Sequence, residues 1–570
     1  MQYKCIFSKC LSELAGGLLD LSQFATKRHF RLVRINRSWF SNSDDKDLKI
    51  EIHEFQSLSL PDNLDYCAVS YPWAGVKNEN DLRGYIKVAG AEEADPIGIS
   101  MLYDLSWAAW SVSRSEYIWL DRLCLMQTNK EDKQWQIERM FDIYHKCKVC
   151  IVIPGGLQRL ATLEEETQWV DRAWTLQEVT APQVTKVSVL YNPNSPANSI
   201  LQPFRSDGKF WSDTNLVHYD YRGGRALMYM CEAIWRFTPN QPNQPNHPYR
   251  FLGFKSSQYS AVAHFLEGVN IKQHEWIWKA AMMRTSSRPC DRIYSIMRLF
   301  GVKLNQDNWE KDDMAGPAIA LVQASLAAAH NLNYPSFEWD KAVPPKDLSW
   351  FLCTYWMDPD SDYSILPKFP KATVDGPAVW VYADGSEMNV ADALEYRLNY
   401  LRPRWYANIS CGPDAMDSQG YLTFTSHRAL PLTNLTNRYR SAIPPALDRC
   451  SMFAPDMFFC PFTRTYWGLW PPPTYGYEPP QWDYCVSQAD GLAVWIGTSH
   501  GEFMDIHGRS SPFNEDTYII VQKHSPGRFH RITHLNVPRP SRHPFDDMVS
   551  FYGVTVTVGG PVPYFNQKSL

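Results

Sequence analysis

Between residues 66 and 190, short apolar runs alternate with helical stretches, and that alternation constrains the fold more than any other feature of the chain. Tyr66-Cys67-Ala68-Val69-Ser70-Tyr71 reads as a buried strand, and Tyr85-Ile86-Lys87-Val88 as a short edge-type strand. Leu102, Leu105, Ala108 and Ala109 recur at helical spacing over 101–112. Strands follow at 117–120, at 148–153 (ended by Pro154-Gly155-Gly156) and at 186–190, with helices at 131–146 and 172–179 between them. Strands that are apolar throughout are buried on both faces. The expected fold class is therefore α/β, a mostly parallel sheet flanked by helices.

The helix at 131–146 carries the clearest pattern. Thr128-x-x-Glu131 has the form of a capping box, and Ile137, Met140, Phe141 and Tyr144 make one apolar stripe. Lys133, Gln136, Glu138 and Asp142 are left for the other faces. Upstream, residues 1–27 show a weak helical pattern in Leu11, Leu14, Leu18, Leu19 and Leu21, followed by strand-like pieces at 30–35 and 48–52.

Downstream, residues 239–248 repeat Pro-Asn-Gln and end in His-Pro, which suits a surface loop or a domain junction. A helical segment is expected over about 259–335. Beyond 344 the chain turns Trp-, Tyr- and Pro-rich and reads as β-rich, with strands near 378–381, 493–496, 518–521, 529–535 and 551–558. Four regions are expected: an N-terminal helix and strand extension (1–60), an α/β domain (61–195), a loop and helical region (196–343) and a β-rich C-terminal region (344–570). The basic, His-containing run 523–542 reads as a solvated strand face.

Composition removes several function classes. The chain has 570 residues, 56 Lys+Arg against 61 Asp+Glu, and 44% hydrophobic residues, enough for a proper core. A net charge of −5 leaves no footprint for bulk nucleic-acid or anionic-membrane binding, so no nucleic-acid partner is expected. Thirteen cysteines, odd in number and without a framework spacing, read as reduced thiols in a cytoplasmic protein. The apolar stretch 14–19 is closed by Asp20, too short for a signal sequence or a membrane span.

In parallel sheets, ligands bind where loops leave the carboxyl ends of the strands. That rule gathers Ser70, Tyr71 and Trp73 after one strand, and Asp121, Arg122, Cys124 and Gln127 after another. The helix at 172–179 adds Arg172, Gln177 and Glu178. Such a set suits a polar ligand with a ring and a charged part, and two carboxylates (Asp121, Glu178) are able to flank a glycosidic bond. Each also has a plain structural role open to it. Thr175-x-x-Glu178 has capping-box form, and Asp121 has Arg122 or Arg172 to pair with. Cys147-x-x-Cys150 with His145 nearby lacks a second ligand pair at zinc spacing, and Cys124 reads as a small buried hydrophobe. No Gly-rich dinucleotide or phosphate loop and no nucleophile elbow follows any expected strand.

Several segments resemble the fungal heterokaryon incompatibility (HET) domain. The run from Tyr66 to Gly75, Y-C-A-V-S-Y-P-W-A-G, is similar to that family's opening Y-x-A-L-S-Y-x-W-G. Trp119 to Gln127, W-L-D-R-L-C-L-M-Q, resembles W-I-D-x-x-C-I-N-Q. Gln136, Ile137, Met140, Ile143 and Tyr144 fall where the family has Q-V-x-x-M-x-x-I-Y, and Arg172 to Glu178 matches R-A-W-T-x-Q-E. Asp291-Arg292-Ile293-Tyr294 resembles a downstream D-R-I-Y element. Ala74 is an insertion against this pattern, Met126 stands where Asn is usual, and Asp132-Lys133 replaces Glu-Arg.

The resemblance implies a flavodoxin-like, TIR-like fold and a role in non-self recognition and programmed cell death. Enzymatic TIR domains cleave NAD⁺ at the nicotinamide–ribose bond with a glutamate, which by resemblance is Glu178 here. Substrate-binding roles then fall to Ser70, Tyr71, Trp73, Asp121, Gln127, Arg172 and Gln177, with NAD⁺ as substrate and no metal or other cofactor. Self-association through the HET domain and another incompatibility protein as trigger are the implied partners. The alternative implied by the same family is a non-catalytic, self-associating signalling module.

Overall fold

The structure is a computed structural model. It describes residues 3–35, 49–56, 64–78, 81–190, 217–220, 225–230, 273–310, 312–331, 379–381, 387–389, 404–406, 409–412, 414–436, 451–454, 457–460, 465–469, 486–504, 510–538 and 551–559, and four single positions (233, 252, 262, 351). The Pro-Asn-Gln repeat lies outside these. The chain divides into two compact units, the first Met1–Val269 with Arg284–Ser286 and Val374–Gly376, the second the remainder.

The first unit is built on a nine-stranded mixed sheet: β1 (Tyr3–Cys10), β2 (Phe30–Ile35), β3 (Lys49–Phe55), β4 (Tyr66–Ser70), β5 (Tyr117–Trp119), β6 (Val149–Val152), β7 (Thr185–Leu190), β8 (Val217–Asp220) and β9 (Arg225–Tyr229). Their spatial order is β1-β3-β2-β5-β4-β6-β7-β9-β8. The four central strands β5, β4, β6 and β7 are parallel, with Cys67 opposite both Ile118 and Val149. All five residues of β4 are buried, as its unbroken apolar run requires for a strand covered on both faces.

Alternation along β4 shows which helix covers which face. Tyr66 donates its hydroxyl to Ile143 of α3 (Met140–Lys146), and Ser70 bonds Glu178 of α4 (Ala173–Thr180). Cys67, pointing the other way, meets Ser113 of α1 (Ile99–Ser113) at 3.0 Å. Helices therefore pack on both faces, as the sequence leads one to expect.

The N-terminal region corrects the sequence reading. Residues 3–10 form a strand rather than helix, and the leucines beyond it serve a single turn at Leu11–Leu14 and the two-residue strand Leu18–Leu19. Strands β1 to β3 extend the sheet past β5, where Val33 pairs with Ile118.

The expected helix at 131–146 is two helices, α2 (Lys130–Ile137) and α3, separated by a turn at Glu138–Arg139. Its cap is Asn129, whose side chain accepts from the Asp132 amide at 3.0 Å, not Thr128. The buried side of α2 is polar: Asp132 and Gln136 are both 0% exposed, whereas Ile137 is only half-buried. The cause is Arg31 of β2, a fully buried cation that bonds both carboxylate oxygens of Asp132, at 2.9 and 3.0 Å, and Glu54 at 3.2 Å. Burying a guanidinium is tolerable only with such partners.

The second unit contains three described helices, Gln273–Met282, Asp291–Met297 and Ala315–Asn331, and a ten-stranded sheet. Within that sheet Tyr421–Asn434 pairs with both Gly491–Met504 and Phe551–Gly559, so five strands close into a barrel. Leu430, Trp467, Trp495, Tyr518 and Ile532 share its core. In the basic run at 523–542, His530 and Arg531 are buried rather than solvated, and 539–542 lie outside the described residues.

Candidate functional site

The loops leaving the carboxyl ends of β4, β5 and β6 meet one another. After β4 the chain runs through Tyr71 and Trp73 to Gly75, which lies so close to the turn after β6 that a Cβ on it would sit 2.2 Å from the Gly155 carbonyl oxygen. The Val76 amide donates to that same oxygen at 2.8 Å. Glycine is required there because two backbones touch.

Two carboxylates are gathered at these loops. Ser70 Oγ donates to Glu178 Oε2 at 2.5 Å and accepts from the indole Nε1 of Trp169 at 2.8 Å. Tyr71 donates its hydroxyl to Asp121 Oδ1, Trp73 Nε1 donates to Asp121 Oδ2 at 2.8 Å, and the Arg122 amide donates to Oδ1 at 2.6 Å. Asp121 is thus held by an aromatic pair and its own backbone turn. The expected pairing with an arginine is replaced by an indirect one, in which Arg122 Nε donates to the Tyr71 hydroxyl at 3.1 Å.

Glu178 does not cap its helix. The N-cap of α4 is Arg172, and Thr175 donates its hydroxyl to the carbonyls of Arg172 (2.8 Å) and Trp169 (2.9 Å). Glu178 sits one turn further on and turns its carboxylate to Ser70. Part of its side chain stays exposed, but its carboxyl group is poorly solvated. Burial pushes it up to about 7, opposed by the Ser70 hydrogen bond and the Arg172 charge and assisted by the negative charge of Asp121. The two carboxylates are held by consecutive residues, Glu178 by Ser70 and Asp121 by Tyr71. Burial also holds the Tyr71 hydroxyl well above its ordinary value, so Tyr71 is a neutral donor to Asp121.

The other expected site residues are placed as follows. Arg172 Nη1 donates to the Tyr71 carbonyl at 3.0 Å, tying α4 to the loop after β4. Gln127 Nε2 donates to the Asp121 carbonyl at 3.2 Å, while its Oε1 is buried without a hydrogen-bond partner among the described residues. Gln177 is buried within the fold, 1% exposed. Ala74 is exposed, and Met126 is buried, its amide donating to Asp132 at 3.1 Å.

Sequence reasoning missed three residues. Asp95 accepts from the Gly75 amide at 2.8 Å and from Lys77, and its carbonyl accepts from Arg122, so it fixes the loop after β4. Trp169 completes the bonding of Ser70. Arg284 donates to the Arg172 carbonyl at 3.0 Å and to Thr175 Oγ1 at 2.7 Å. No periodicity marks any of them, because each acts through a contact distant in sequence.

Cys124, Cys147 and Cys150 are buried thiols, placed as small apolar side chains rather than as nucleophiles. Burial pushes Cys124 up to about 12 and raises Cys147 and Cys150 far above the ordinary thiol value. His145 faces the Ala181 carbonyl at 3.1 Å, and no group of three His, Cys, Asp or Glu able to hold a metal occurs among the described residues.

Residues 66–163 match the family model described as Heterokaryon incompatibility protein (HET). The chain carries a HET domain. No curated protein and no solved structure matches the chain. The match takes in Ser70, Tyr71, Trp73, Asp121 and Gln127 and ends before Arg172, Gln177 and Glu178. A HET domain suggests a role in heterokaryon incompatibility. No helix among the described residues is long and apolar enough to cross a membrane.

Proposed function

We propose that this chain is an effector of fungal non-self recognition that triggers cell death by hydrolysing NAD⁺ at the nicotinamide–ribose bond. The observation that carries this reading is that two carboxylates are held by consecutive residues at the end of β4, Glu178 by Ser70 and Asp121 by Tyr71, where the loops of β4, β5 and β6 meet, and burial raises Glu178 to about 7. The order β5-β4-β6-β7 places the second parallel strand, then the first, third and fourth side by side. That is the order of flavodoxin-like sheets, whose ligand sits at the switch point between the first and third strands. Here the switch point lies between β4 and β6, the strands whose loops touch at Gly75 and Gly155.

The chemistry follows from the groups present. Cleavage breaks the bond from ribose C1′ to the nicotinamide nitrogen, and the electron pair leaves with neutral nicotinamide. The ribose carbon becomes cation-like and is stabilised by an ionised Glu178; water then adds and releases a proton. Asp121, held by Tyr71 and Trp73, faces the ribose hydroxyls, and Trp73, half-buried, offers a ring to stack on a base. No metal is needed for this step.

Incubating the full chain at high concentration with NAD⁺ tests the reading. Nicotinamide release that falls at least about a hundredfold in Glu178→Gln supports it. Absent release, with cell killing retained in a folded Glu178→Gln variant, assigns the chain to the non-catalytic, self-associating class instead.

A further inference from the structure

Residues 284–286 lie far from the HET motifs in sequence, yet they belong to the first unit. Thr285 forms an isolated parallel bridge with Arg172: its carbonyl accepts from the Ala173 amide at 2.8 Å, and its amide donates to the Asp171 carbonyl at 2.5 Å. The neighbouring Arg284 is 1% exposed and spans the start of α4 through Arg172 and Thr175, 112 and 109 residues before it. Its Nη2 is buried without a hydrogen-bond partner among the described residues.

We propose that Arg284 is a positioning residue for Glu178, fixing the first turn of the helix that carries it and supplying a buried positive charge to the ionised carboxylate. The proposal rests on Glu178 being the reactive carboxylate. A guanidinium out of water is costly unless an anion answers it. The anionic groups that favour the charged form of Arg284 are Asp171 and Glu178, and burial lowers it to about 9 against their pull. The influence is mutual, since the Arg284 charge favours ionisation of Glu178. The other groups facing Glu178 are Ser70 of β4, Arg172 at the start of α4, Asp121 after β5, Tyr144 of α3 and Cys150 of β6. Burial keeps Tyr144 and Cys150 neutral, and the charges of Arg172 and Arg284 oppose the upward push that burial exerts on Glu178. Arg284 lies outside the segment matched by the HET model, so the electrostatics of Glu178 are completed by sequence well beyond it.

The test is the titration of Glu178 in the full chain without substrate, followed by the protonated-carboxyl infrared band that disappears in Glu178→Gln. Arg284→Gln keeps a donor for Arg172 and Thr175 but no charge, and should move the midpoint up by about one unit. Arg284→Lys keeps the charge and should leave the midpoint within a few tenths of a unit. A midpoint unmoved in a folded Arg284→Gln overturns the proposal. If Arg284→Gln fails to fold, Arg284→Met, an uncharged side chain of similar length, decides: an upward shift of about one unit upholds the proposal and an unmoved midpoint overturns it. Because the titration needs no turnover, a chain that releases no nicotinamide fails as a hydrolase while the coupling is still read.

Discussion

The hydroxyl of Ser70, the last residue of β4, lies 2.5 Å from a carboxylate oxygen of Glu178 on α4, joining the middle of the sheet to the helix that covers it. Ser70 is fully buried and also receives the Trp169 indole, so it is the hinge of a three-residue polar chain.

Ser70→Ala should raise the pKa of Glu178, because it removes the largest influence favouring the charged form. It also removes the hydroxyl that accepts from the Trp169 indole, at a cost of about 1–3 kcal/mol. Denaturant unfolding reads the cost. A pH–rate profile displaced to higher pH reads the effect on Glu178.

Glu178 makes stability depend on pH with a definite sign. Its folded pKa is raised from 4.5 to about 7, so the folded state holds the proton more tightly than the unfolded chain. Its contribution is complete below 4.5 and is lost as pH rises towards 7. Glu178→Gln should therefore be more stable than the parent at pH 8, by no more than about 3 kcal/mol, with the gap closing near pH 4. Melting temperatures at the two pH values check this.

The Arg31–Asp132 pair is a buried ion pair that also holds the backbone at Cys124 and Met126. Asp132→Leu should destabilise the first unit by about 3–5 kcal/mol, because it leaves Arg31 buried with Glu54 as its only carboxylate partner among the described residues. Arg31→Met combined with Asp132→Leu should recover only part of that loss, because it leaves Glu54 buried without its cation, and equilibrium unfolding of the single and double variants measures it.

Gly75→Ala forces a Cβ against the Gly155 carbonyl, a backbone atom that cannot rotate away. The loop carrying Trp73 must shift, costing about 1–3 kcal/mol and loosening the hold on Asp121. The neighbouring exposed substitution, Ala74→Gly, should stay within about 0.5 kcal/mol. A melting series on the two variants separates them.

The parallel strands and covering helices were legible in sequence because their signal is local: short apolar runs for β4 to β6 and helical spacing for α1. Grouping Ser70, Tyr71, Asp121 and Glu178 near strand ends required only the rule that loops converge there. What was not legible depends on distant partners. Residues 3–10 are a strand because β3 offers an edge to pair with, not because of their own pattern. The helix at 131–146 was read from its apolar residues, whereas Arg31 from another element draws Asp132 inward and makes the buried side of α2 polar. The capping-box pattern at Thr175 misled for the same reason: Ser70 competes for Glu178 and wins it. Arg284 and Asp95 carried no pattern at all.

The central claim, that Glu178 is the ionisable group of an NAD⁺-cleaving site, is tested most directly by nicotinamide release from the full chain as a function of pH. The account predicts release that rises with pH to a plateau, with a midpoint near 7, and that is lost in Glu178→Gln. No release from the concentrated protein, or a profile unchanged in Glu178→Gln, contradicts it.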